Sequence, residues 1–164
     1  MKSTYQWKRV TFSSTYEIFE NEKLIGKLKD SSFSQTSEGL INKKGYQFKT
    51  RGFFKQETQI IDAEKNQVLG TITYNSWKSR ANILLADRLI QWKYDNFWQT
   101  QWSLLSEDGV EGTYSGGMAK GTITCDTPDD LLILTGLFVT NYYRQIGIAV
   151  LVAVFIPIWV STIN

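Results

Sequence analysis

The chain has 164 residues, 42% of them hydrophobic and 14% aromatic, with a formal net charge of +2. That length supports one well-buried core and is short for two, and so small a charge argues against a nucleic-acid partner. With no His and a single cysteine, Cys125, the composition excludes imidazole ligation, a His general base, a His-based pH switch and an intrachain disulfide.

The N-terminal segment MKSTYQWKRVTF lacks the apolar run of a secretory signal, so export by that route is not expected. From residue 4 to 125 apolar and polar residues alternate with period two. Tyr46 and Phe48 alternate with Gln47, Lys49 and Arg51; Ile90, Trp92 and Tyr94 alternate with Gln91 and Lys93; Trp98, Thr100, Trp102 and Leu104 alternate with Gln99, Gln101 and Ser103. Turn residues fall between the runs at Asn21-Glu22-Lys23, Lys44-Gly45, 63–66, Asp95-Asn96 and Glu107-Asp108-Gly109. This spacing predicts about eleven strands, with the stretch 32–40 able to supply one more, in an antiparallel barrel or sandwich.

A weak repeat points to hairpins. Tyr16 to Glu20, a polar turn and Leu24-Ile25-Gly26-Lys27-Leu28 recur as Thr58 to Asp62, a polar turn and Val68-Leu69-Gly70-Thr71-Ile72. A Gly after two apolar residues marks a bulge or a close backbone approach, which suits the bending that closes a barrel. Gly116-Gly117, with Gly112 and Gly121, matches neither dinucleotide-binding nor P-loop spacing and reads as strand ends and a turn. Cys125 reads as a small buried apolar residue.

Charge is uneven along the chain. Residues 1–55 hold eleven Lys and Arg against five acids, and residues 56–128 hold six against nine. Lys43, Lys44, Lys49, Arg51 and Lys55 follow one another without an intervening acid and are the candidate contacts to an anionic surface. The aromatics between them read as core, since a barrel turns Tyr46 and Phe48 inward and the charges outward.

The pattern changes at Thr127, a suitable N-cap, followed by Pro128 and by Asp129 and Asp130 where the helix dipole favours negative charge. LLILTGLFVTNYY, residues 131–143, is apolar all round the helical wheel and must be enclosed on every side. A helix over 127–145 would be about 27 Å long, enough to cross a compact barrel.

A barrel of about twelve antiparallel strands with two Gly-containing hairpins, followed by the acid-capped helix TPDDLLILTGLF, resembles the tubby C-terminal-like superfamily over residues 4 to about 145. That group includes tubby domains, phospholipid scramblases and LURP-one-related proteins. The resemblance implies a closed barrel enclosing its C-terminal hydrophobic helix, and association with lipid. The acidic calcium segment of scramblases has no counterpart here, and fold alone transfers no activity.

The expected organisation is a barrel domain over 1–145 and a further apolar helix over 146–164. Residues 146–163 (IGIAVLVAVFIPIWVSTI) are uncharged and just long enough to span a bilayer. Ile146, Val150, Val154, Ile158 and Trp159 are the candidate anchor residues. Tyr142, Tyr143 and Arg144 are expected at one membrane interface and Trp159 near the other, with the barrel on the cytoplasmic side by the positive-inside rule. The alternative is a soluble chain whose distal helix packs on protein.

No enzymatic function is expected. Asp129 and Asp130 read as helix-start residues, Asp62 and Glu64 as turn residues, and nothing places a base beside a Ser, Thr or Lys nucleophile. No cofactor or metal is called for. The expected partner is an anionic phospholipid, phosphoinositides included, or a membrane surface. The alternative is a structural or interaction module whose helix joins a membrane-protein partner or a second copy, and a scramblase-like transporter ranks last because the tail lacks polar residues to carry headgroups.

Overall fold

Alternation decides the fold, because each strand can turn one set of side chains inward and the other outward. The computed structural model describes residues 1–30, 35–52 and 55–163; of residues 151, 152 and 154–163 only the backbone is described. Its strands are β1 (Ser3–Arg9), β2 (Thr15–Glu20), β3 (Lys23–Lys29), β4 (Thr36–Ile41), β5 (Lys44–Arg51) and β6 (Glu57–Asp62). They continue as β7 (Gln67–Asn75), β8 (Arg80–Leu85), β9 (Arg88–Tyr94), β10 (Gln101–Ser106), β11 (Gly109–Gly116) and β12 (Lys120–Cys125). Each strand pairs antiparallel with the next, and β1 pairs with β12, so the sheet closes into a twelve-stranded up-and-down barrel. Closure leaves no free edge.

The inward residues include Trp7, Ile18, Phe48, Ile60, Trp92 and Trp102, all buried. Cys125 is buried as expected and pairs opposite Ser3. Trp98 departs from the expected alternation. It lies outside β10, 80% exposed, because Asn96 accepts hydrogen bonds from the Thr100 and Gln101 amides and Gln99 adopts φ +57°, which folds 95–100 into a turn.

The repeat has three copies. In β2–β3 the register shifts beside Ile18, opposite Gly26; in β6–β7 beside Ile60, opposite Gly70; and in β10–β11 beside Leu104, opposite Gly112. Every fourth strand thus carries a bulge whose extra residue is Ile25, Leu69 or Glu111. A Cβ at Gly70 would stand 2.2 Å from the Leu84 carbonyl oxygen, so only glycine permits that approach of β8.

One helix, α1 (Asp130–Ile163), threads the barrel. It starts later than expected from Thr127: Asp129 is the N-cap, its Oδ1 accepting from the Leu131 and Leu132 amides at 3.1 Å. Arg88 holds this end of the barrel by bridging Glu111 at 2.8 Å and Asp129 at 3.9 Å. Leu132, Leu134, Leu137, Phe138 and Val139 fill the interior, with Phe138 stacked on Phe48 at 4.5 Å. The expectation of two helices separated at 142–145 is corrected. The helix continues unbroken, because the polar groups that suggested a boundary lie on side chains and leave the backbone ladder intact.

Candidate membrane-facing rim

The antiparallel meander gives the barrel two distinct ends. The hairpin turns 21–22, 42–43, 63–66, 86–87 and 107–108 gather at the end where the helix begins; the loops 10–14, 76–79, 95–100 and 117–119 gather where it emerges. The entry end and the exit end differ in chemistry.

At the exit end, five consecutive helix residues form a collar. Asn141 accepts from the Tyr16 hydroxyl at 3.0 Å and donates to the Asp30 carboxylate. Tyr142 donates to Gln56 and stacks on Tyr74 with ring centroids 3.8 Å apart. Tyr143 donates to the Arg80 carbonyl and stacks on Trp92 at 5.2 Å. Arg144 donates to the Gly117 carbonyl at 2.7 Å, with its guanidinium over Trp7 and Trp102, and Gln145 donates to Asp30. These bonds fix the depth and rotation of the helix, so the emerging segment is rigidly coupled to the barrel.

Tyr142 and Tyr143 therefore pack in the mouth of the barrel, at the end where the helix emerges. Their rings find partners in Tyr74 and Trp92, which the chain brings in from β7 and β9. Burial pushes the phenols of Tyr74, Tyr114 and Tyr143 well above the ordinary tyrosine range. They stay neutral in the folded barrel while the unfolded chain ionises near pH 10, so stability is retained below that pH and lost as pH rises beyond it. In a spectrophotometric titration at 295 nm, these phenols are expected to ionise only together with cooperative unfolding, above about pH 11.

Past the collar, Ile146 is half-buried and lines a cleft of about 500 Å³ with Lys55, Gln56, Trp77 and Tyr142. Ile148 and Val150 are 51% and 56% exposed. The other anchor candidates, Val154, Ile158 and Trp159, lie outside the residues whose side chains are described. Among the described residues no helix is long and apolar enough to cross a membrane.

The exit loops carry aromatic side chains in open solvent. Phe12, Trp77, Phe97 and Trp98 are all at least 80% exposed, and every described aromatic exposed to that degree lies in an exit loop. Met118 adds a half-exposed side chain in the loop 117–119. Aliphatics on the outer wall, such as Leu84 and Leu89 paired across β8 and β9, are only about half exposed. The signal available in the sequence was a large aromatic embedded among turn-forming residues, as in Thr11-Phe12-Ser13-Ser14 and Asn75-Ser76-Trp77-Lys78-Ser79.

Charge is polarised along the barrel axis. These exit loops, the β3–β4 and β5–β6 connections at the same end, the two strand residues on either side of each and Arg144 hold ten Lys and Arg against three acids, Asp30, Glu57 and Asp95. The entry turns, the two strand residues on either side of each and the helix start (126–130) hold five against ten. A net charge of +2 conceals this dipole.

The five basic residues singled out in sequence do not form one patch. Lys43 and Lys44 sit at the entry end, where Lys44 lies 5.4 Å over the Tyr46 ring, while Arg51 and Lys55 sit at the exit end and Lys49 just inside it. Lys44 and Arg51 stand seven positions apart at the two ends of β5, about 23 Å of extended chain. The carboxylates considered for catalysis do structural work. Asp62 accepts from the Glu64 and Lys65 amides, which lowers its pKa, and Asp129 caps the helix. Among the described residues, no group of three or more His, Cys, Asp or Glu is placed to hold a metal.

No family model, no curated protein and no solved structure matches this chain.

Proposed function

We propose that the protein is a non-enzymatic, membrane-attached barrel of the tubby-like type, held at a bilayer by the distal half of its own core helix. The observation that carries this reading is the helix itself: one rod runs from the barrel interior through the polar collar into eighteen uncharged residues, 146–163. Exposing such a segment to water is costly at roughly 25 cal/mol per Å² of apolar surface, and a bilayer core of about 30 Å takes it whole. The closed twelve-stranded meander around a hydrophobic helix supports the tubby-like resemblance, which implies lipid association. The concentration of Lys and Arg beside the span supports a cytoplasmic barrel.

Two acidic substitutions in the span, Val150→Asp and Val154→Asp, are expected to release the full chain from the membrane fraction. Charged residues near a span centre cost about 2.5–3.5 kcal/mol each on the insertion scale. The unsubstituted chain is expected to stay with membranes through high-salt washing. If it is found in the soluble fraction, the anchor reading fails.

A second reading has a specific observation in its favour: Leu84 and Leu89 leave an apolar strip on the outer wall. In that reading the helix joins a partner protein or a second copy. Stoichiometric co-purification in mild detergent would support it, and a monomer would count against it.

A further inference from the structure

Resting on the reading of residues 146–163 as the membrane segment, we propose that the exit rim is a second, independent membrane contact: a ring of aromatic and cationic side chains that sits in the headgroup layer of an anionic bilayer. The collar leads to this placement. Because residues 141–145 are tied to the Asp30, Gln56, Arg80 and Gly117 positions, the barrel cannot pivot freely about its helix. A bilayer that takes up the helix from Ile146 onward therefore meets the exit loops.

Those loops have the chemistry of that layer. Phe12, Trp77, Phe97 and Trp98 approach from three separate loops and have no protein to cover them. Aromatic rings of this kind partition to the interface between hydrocarbon and headgroups. Between them stand cations from other strands, among them Arg9, Arg51, Lys55, Lys78, Arg80 and Lys120, nearly unopposed by acids. Charge complementarity selects phosphatidylserine-like or phosphoinositide lipid over zwitterionic lipid. The acidic entry end faces the other way, so the same field that attracts one end repels the other. The cleft lined by Lys55, Trp77, Tyr142 and Ile146 opens where the helix leaves the rim, a place for one lipid headgroup beside the anchor.

The test keeps the full chain. With Cys125→Ala removing the lone thiol, single cysteines are introduced by Trp77→Cys, Phe97→Cys or Met118→Cys at the rim and by Lys65→Cys at the entry end. Each carries an environment-sensitive fluorophore. The labelled chains are reconstituted into phosphatidylcholine vesicles with or without about 30 mol% phosphatidylserine, with brominated acyl chains as quenchers. Retained near-ultraviolet circular dichroism identifies folded variants.

Rim probes are expected to shift to the blue and to be quenched at least about twofold more in the serine-containing vesicles, and 0.5 M salt is expected to remove that difference. The Lys65 probe is expected to report water throughout. A chain that floats with vesicles while its rim probes stay in water overturns the rim contact and leaves the anchor standing. A chain that floats with neither vesicle overturns both. Equal quenching without serine lipid overturns the anionic assignment. Rim probes shielded from water yet untouched by brominated lipid would mean that a second copy or another protein covers the rim, and would also overturn it.

Discussion

Replacing Gly136 with leucine is expected to expel the helix from the barrel and cost about 3–5 kcal/mol, much of the 5–15 kcal/mol that holds a typical domain together. A Cβ at this position would stand 2.3 Å from the Tyr114 hydroxyl oxygen and 2.4 Å from the ring carbon that bears it. Tyr114 cannot retreat, since it is buried and stacked on Trp102 at 5.6 Å. Its hydroxyl donates to the Leu132 carbonyl at 2.9 Å, joining β11 to the helix where no backbone bond can. A leucine would overpack the site and break this bond, leaving a buried hydroxyl without a partner, and each effect alone is worth about 1–3 kcal/mol. Alanine should cost less, because its gain of about 1 kcal/mol in helix propensity offsets part of the clash. Urea denaturation of the full chain in mild detergent, followed by tryptophan emission, reads both. An unchanged midpoint for Gly136→Leu would mean that the helix does not pass Tyr114.

Much of this interior is legible in sequence because its causes are local. Alternation marks the strands, and the all-apolar segment 131–143 marks a helix that needs a container. What escapes the sequence is what separate strands do together. The third copy of the glycine hairpin is hidden because Glu111 stands where Ile25 and Leu69 stand in the others, and only the register shows that all three are bulged residues. Residues 142–145 read as a break because polar side chains interrupt an apolar run. In the fold they are the ring of bonds through which a helix passes from protein core to exterior.

The candidate site was less legible for the same reason. Lys43 to Lys55 are neighbours in sequence, and β5 carries them from one end of the barrel to the other. Phe12, Trp77 and Phe97 are far apart in sequence, and the meander returns every second loop to the same rim. A linear scan of charge finds runs along a strand, whereas a barrel sorts charge by end. The same sorting turns an unremarkable net charge into a positive and a negative pole.

Asn141→Leu is expected to destabilise the full chain by about 3 kcal/mol, and adding Tyr16→Phe is expected to restore about 1 kcal/mol of that loss. Asn141 is buried and completes a network that runs from Tyr16 through its amide to Asp30, where Ser37 and Gln145 also donate. Leucine keeps the branched heavy-atom skeleton and removes both bonds. The Tyr16 hydroxyl, on a side chain only 1% exposed, then loses its acceptor at about 1–3 kcal/mol, and the half-buried carboxylate loses a charge-assisted donor at about 1.5–3 kcal/mol. Removing the stranded hydroxyl removes the first penalty, so the two substitutions together should cost less than their sum. Chemical denaturation of the two single variants and the double variant gives the coupling directly. Additive losses would mean that Tyr16 and Asn141 do not meet. A further readout separates a loosened collar from a merely weakened core: in Asn141→Leu, hydrogen exchange at the amides of 143–148 should rise at least about fivefold while the β-sheet amides keep their protection. The collar then acts as the joint that transmits the position of the helix to the barrel, and its failure frees the barrel to tilt while the helix stays where it is.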